Sequence, residues 1–218
     1  MTLLDITFVL LNLLPLQDSV IIHTSDSITR GNEFGTSIEN IGFIDEDDRP
    51  DLLIGDGGSD YQARDAGSVY IISSQDPEIR IDNPDGMKKD RFGTDATCLG
   101  DVNFDGFLDY LVGSPGSDAA CKDCGAVWFF ISYDEDTWYQ YRLHKDDFSI
   151  IHNGVQHQLT THKREGFGTS VNLYKESEIH SIHEMSFWVA IGSPKSKFNN
   201  KKTGVVHLLK VGLLYPNS

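Results

Sequence analysis

Apolar residues in this chain gather in short runs, broken by turn-forming residues at intervals of roughly 8–15 residues. In the middle of the chain the pattern predicts strand A at Thr94 to Leu99, B at Asp109 to Val112, C at Gly125 to Ile131 and D at about Trp138 to Leu143. The same order upstream gives Thr36 to Ile41, Asp51 to Ile54, Gly67 to Ile72 and Glu78 to Ile81. Downstream it gives Thr169 to Leu173, Ser186 to Ile191 and Gly204 to Lys210, with no convincing fourth strand. No window sustains an apolar stripe at helical spacing over three turns, so the pattern predicts an all-β fold with little helix.

The three groups of strands are copies of one unit. Phe34-Gly35-Thr36-Ser37, Phe92-Gly93-Thr94-Asp95 and Phe167-Gly168-Thr169-Ser170 each open a copy. A second glycine follows in each (Gly55, Gly113, Gly192), and a third (Gly67, Gly125, Gly204) stands 12 residues beyond it at the start of strand C. Fixed internal spacing of this kind marks a repeat architecture. Glycine after an aromatic lets one backbone pass close to another, and glycine before a strand permits a positive φ at the turn. Four short antiparallel strands per repeat predict propeller blades. Three copies are fewer than the four to eight blades of a closed ring, so the expectation is a partial or open propeller. Either the chain belongs to a longer protein or copies associate through blade edges.

Composition narrows the partners. The 218 residues carry a formal net charge of -15 at pH 7. That excludes an extended nucleic-acid surface, which needs clustered Lys and Arg. It suits cation binding. Leu3 to Leu16 is apolar and admits two readings, a signal or anchor segment and a strand of a preceding blade; Ser19 to Thr24 aligns with strand D. Membrane contact follows only from the anchor reading. Cys121 and Cys124 read as a small disulfide or two loop thiols, and Cys98 as a buried strand residue. No nucleophile elbow, P-loop, dinucleotide fingerprint or His-Glu-x-x-His is present, so the sequence points away from an enzyme.

One loop carries chemistry. Asp101-Val-Asn103-Phe-Asp105-Gly106-Phe-Leu-Asp109 places oxygen side chains at positions 1, 3, 5 and 9 of a tight turn between strands. Calcium takes six to eight oxygens, alternate residues of a turning loop converge, and the Phe107 carbonyl is well placed as a further ligand. The first copy keeps Asp45, Asp47 and Asp51 but has Phe43 at position 1 and Asp48 for the turn glycine, which makes it a weaker second site. The third, Tyr174 to Met185, lacks the spacing and reads as a calcium-free loop insertion; His180 and His183 within it have no third zinc ligand.

The run Phe-Gly, Asp-x-Asn-x-Asp-Gly-x-x-Asp, Val-Gly-Ser-Pro and Gly-x-Val resembles the FG-GAP repeat of integrin α-subunit propellers, over about Gly31 to Lys210. The middle copy matches best. The resemblance implies a calcium-stabilised propeller module, extracellular or at the cell surface, that binds a protein or cell-surface ligand. The alternatives are a non-catalytic module of a larger secreted hydrolase and a self-assembling blade array. In such propellers the face formed by B–C and D–A loops engages partners. Tyr61, Lys195, Lys197, Phe198, Lys201 and Lys202 are the candidates there. The expected divisions are an apolar segment 1–17, a first blade with a preceding strand 18–83, a second blade 84–145 with its calcium loop at 101–109, and an incomplete third blade 146–218.

Overall fold

The structure is a computed structural model that describes residues 32–44, 49–73, 79–134, 137–144, 149–152, 155–158, 164–181, 184–198 and 201–214. The amino-terminal segment with its signal, anchor and strand readings lies outside these residues, as do Asp45, Asp47 and His183. All regular structure among the described residues is β, and no described helix is long and apolar enough to cross a membrane.

Three antiparallel sheets repeat the predicted unit. The first is β1 (Phe34–Gly42), β2 (Asp51–Asp56), β3 (Ser68–Ile72) and β4 (Ile79–Asp82), paired in that order. The second is β5 (Ala96–Gly100), β6 (Asp109–Ser114), β7 (Ala126–Asp134) and β8 (Thr137–Leu143). After the hairpin β9 (Ser149–His152) and β10 (Val155–Gln158), the third sheet pairs β11 (Ser170–Ser181), β12 (Glu184–Ser193) and β15 (Val205–Leu214). A two-residue hairpin, β13 (Lys197–Phe198) with β14 (Lys201–Lys202), interrupts the connection from β12 to β15. These are blades of a propeller segment that does not close.

Side-chain parity along the strands builds the core. Leu53, Val69 and Ile71 of the first blade meet Tyr110, Val112, Trp128 and Phe130 of the second. The other face of the second blade presents Leu111, Val127 and Phe129 to Val171, Phe187, Val189 and Ile191 of the third. The second blade is thus apolar on both faces and buries them against its two neighbours, as strands at the centre of a layered stack must. The corresponding outward positions of the third blade leave Val206 69% and Leu208 48% exposed.

The repeated Phe and Gly positions join the blades. Phe92 and Phe167 are fully buried, which stabilises each junction by roughly 2–3 kcal/mol apiece. Their backbones form isolated parallel bridges with Gly67 and Gly125 of the preceding blade. At Gly113 a Cβ would overlap the carbonyl oxygen of Gly168, and at Gly55 that of Gly93, so only glycine permits the approach.

One expectation is corrected. Tyr174 to Met185 is not a loop insertion: β11 and β12 extend through most of it as one ladder, with Glu178 opposite Ser186 and Ile179 opposite Met185. The charged residues Glu176, Glu178 and His180 hide that strand from a hydrophobic-pattern reading. The β9–β10 and β13–β14 hairpins were also not anticipated, because their runs are too short or too polar to register.

Candidate functional site

The A–B turn of the second blade spans 101–108 between β5 and β6. Asp and Asn bond readily to nearby backbone, and they organise this turn. Asp105 N donates to Asp101 Oδ1 at 3.1 Å and to Asn103 Oδ1 at 3.2 Å. Gly106 N donates to Asp101 Oδ2 at 2.9 Å, and Phe107 N to Asp105 Oδ1 at 2.9 Å. Gly106 has a φ of 95°, and a residue with a Cβ would be strained there.

Asp109 anchors the turn from below. It is fully buried, with Oδ2 accepting from Val102 N at 2.7 Å. Its Oδ1 accepts from Ser132 N at 2.7 Å and from Ser132 Oγ at 2.8 Å. Burial pushes the Asp109 carboxyl up to about 6, the nearby Asp105 charge adds to the rise, and the bonds from Ser132 and Val102 oppose it.

Ser132, at the end of strand C, was missed by sequence reasoning. Its hydroxyl lies 3.1 Å from both Asp105 carboxylate oxygens, 3.5 Å from the Phe107 carbonyl and 2.8 Å from Asp109 Oδ1. One hydroxyl has one proton and cannot serve all these acceptors. Asn103 Nδ2 meets the shortage in part, donating to Asp105 Oδ2 at 2.8 Å and to the Ser132 carbonyl at 2.6 Å. The donor set is oxygen-rich and hard, which fits calcium. Among the described residues, however, no three His, Cys, Asp or Glu groups gather on one point as a metal centre. The loop brings Asp105, Phe107 and Asp109 together around Ser132, while Asp101 is engaged with the backbone of the turn.

In the first blade Asp51 occupies the position of Asp109. It is buried, and its Oδ2 accepts from Ile44 N at 2.6 Å, as Asp109 does from Val102. Its Oδ1 has no hydrogen-bond partner among the described residues.

The opposite end of the blades holds a second feature. β6 runs from Asp109 at the acidic turn to Ser114, so the B–C loop with the Cys121–Cys124 disulfide lies at the far end. There an open cleft of about 890 Å³ is lined by Lys89, Arg91, Arg164, Lys195, Lys197 and Lys202, with Asp65, Asp123 and Glu165 among them. Three candidates for this face fall within the lining, namely Lys195, Lys197 and Lys202; Tyr61, Phe198 and Lys201 do not. Tyr61 instead packs under the Arg80 guanidinium, 3.3 Å from ring centroid to Cζ. Lys89, Arg91 and Arg164 escaped sequence reasoning because they lie in two loops far along the chain from Lys195, Lys197 and Lys202. Their common signal is position, since Lys89 and Arg164 each precede a repeat Phe by three residues. Cys98 is a free thiol, pushed up to about 11 chiefly by burial.

No family model matches the chain. It is 30% identical over 115 residues to integrin alpha-2 of Mus musculus, an alignment covering 50% of this chain and 9% of that protein. It is 29% identical over 75 residues to integrin alpha-2 of Bos taurus, covering 33% of this chain and 6% of that protein. The chain therefore spans less than a tenth of the curated relatives it matches.

Proposed function

We propose that this chain is a calcium-binding FG-GAP propeller module that engages a protein or cell-surface ligand outside the cell, without catalysis of its own. The observation that carries the reading is the acidic turn of the second blade, where Asp105, Phe107 O and Asp109 surround one hydroxyl with more acceptors than it has protons. Asp101, Asn103, Asp105 and Asp109, with the Phe107 carbonyl, would hold the ion. Bound calcium would supply positive charge to a carboxylate cluster that runs from the buried Asp109 to the exposed Asp105. Asp109 is already oriented by Val102 and Ser132, so it would enter the site with little further loss of side-chain freedom. Asp45, Asp47 and Asp51 form the weaker second site of this proposal.

The similarity to integrin alpha-2 supports an adhesion-type role, and extracellular calcium lies in the millimolar range where weak loop sites fill. The face carrying the B–C and D–A loops is assigned to the partner. The uncovered face of the third blade, with Val206 and Leu208, is available for self-association or a further blade. Calcium titration followed by calorimetry tests the metal assignment. Saturable heat from the wild type, absent in Asp105→Ala, supports it; no heat at millimolar calcium refutes it.

A further inference from the structure

We infer that the cationic cleft at the B–C end binds an acidic peptide segment carrying several separated carboxylates. The inference rests on the proposal that this face engages a protein partner, and it supplies the chemistry of that partner.

Charge is the first ground. In a chain of net charge -15, six cationic side chains line this one cleft against three carboxylates. Two of the six are already engaged: Arg91 pairs with Glu33, and Arg164 Nε lies 3.5 Å from Asp123. Lys89, Lys195, Lys197 and Lys202 have no ion pair among the described residues. A local reversal of sign in an acidic protein draws anions to that spot and repels them elsewhere.

The β13–β14 hairpin is the second ground. Its register sets Lys197 directly opposite Lys202. Like charges facing each other across an antiparallel pair destabilise it. A carboxylate bridging the two ammonium groups would turn that repulsion into a pair of charge-assisted hydrogen bonds.

Strain is the third. Of the six described non-glycine residues with positive φ, five line this cleft: Asp65, Lys89, Arg91, Asp123 and Arg164. The blade junctions hold them there, since Lys89 N donates to Arg64 O at 2.9 Å and Arg164 N to Lys122 O at 3.0 Å. The backbone carrying two of the cations is therefore fixed before any ligand arrives, which lowers the ordering cost of binding.

The interspersed Asp65, Asp123 and Glu165 select the class of ligand. A uniformly sulfated polysaccharide would bring charge against them at every step. A peptide with spaced Asp or Glu can place its carboxylates on the lysines and its neutral residues beside the acids.

The test is fluorescence anisotropy with a labelled octapeptide of four Glu alternating with Ala. Binding to the wild type should weaken at least about tenfold in Lys195→Gln/Lys197→Gln/Lys202→Gln and fall with added salt. Lys201→Gln, outside the lining, should bind within about twofold of wild type. Lys89→Gln, in a different loop, should weaken binding about threefold and serves if the triple variant does not fold. Absence of wild-type binding, an unchanged Kd in the lysine variants, or tighter binding of a heparin octasaccharide than of the peptide overturns the inference. The calorimetric calcium titration is scored separately, so a cleft that fails does not carry the metal assignment with it.

Discussion

The A–B turns of the first and second blades share a buried aspartate but leave it in different states. Asp109 has both carboxylate oxygens bonded, to Val102 on one side and Ser132 on the other. Asp51 has the bond from Ile44 and, among the described residues, no partner for Oδ1. The common half of the arrangement is structural, since in both blades the aspartate closes the turn onto the start of strand B. In the second blade the Ser132 contact also reaches Asp105 and Phe107. One residue type at one repeat position thus serves as a turn clamp in both blades, and in the second it also joins a cluster of oxygen acceptors.

Removing each clamp is the strongest way to break this comparison. Asp109→Ala strands the Val102 and Ser132 amides in a buried site and should cost about 3 kcal/mol in urea denaturation. Asp51→Ala strands only the Ile44 amide and should cost about 1 kcal/mol. Equal losses would mean that the Ser132 bonds contribute nothing.

Calcium should separate the turns by a slightly smaller amount. At a free concentration one hundred times Kd, the ion adds about 2.7 kcal/mol to wild-type stability. Melting in calcium and in chelator should show that gain in the wild type and in Asp51→Ala but not in Asp105→Ala. Hydrogen exchange over residues 99–112 should quicken on chelation more than over 41–44 and 49–54. Uniform quickening, or none, breaks the ranking.

Ser132→Ala should weaken the second turn by a smaller amount again. It deletes the hydroxyl shared by Asp105 and Asp109 but keeps the amide bond to Asp109, so the expected loss is about 1 kcal/mol by chemical denaturation. A larger loss would reveal coupling through the cluster.

The smallest effect concerns Asp95, where the other two copies have Ser37 and Ser170. Burial raises its carboxyl above 3.8, against bonds from the Val171 and Ala96 amides. The raised value means that the folded state favours the protonated form. That contribution is fully present below the ordinary carboxylate pKa and is lost as pH rises through the raised one. Asp95→Ser should flatten that part of the melting profile between about pH 3 and 7. An unaltered slope would assign it to other buried acids such as Asp56 and Asp90.

Legibility in the sequence followed the range of each interaction. Strand order and blade number could be read because the Phe and Gly spacings and the two-residue alternation are local. Most predicted strand ends fall within two residues of those observed, as at Asp51–Asp56, while Ala126–Asp134 runs three residues beyond the predicted limit. The acidic turn was legible for the same reason. Ser132 was not, because it reaches Asp109 only through the β6–β7 register, which sets Tyr110 opposite Phe130. The cleft was half legible. Lysines 195, 197, 201 and 202 stand out as a run, yet only three of them line it, and its remaining cations come from the loops that lead into two different blades.

The Gly67–Phe92 and Gly125–Phe167 bridges make the joints between blades out of main chain. So long as these glycines and phenylalanines are kept, the main-chain joint sets the distance from blade to blade whatever stands in the loops. Copies held in this way are free to drift apart: one can lose its acidic turn, another can lengthen a hairpin, and the pitch of the array survives. A gene containing such units can be edited one blade at a time.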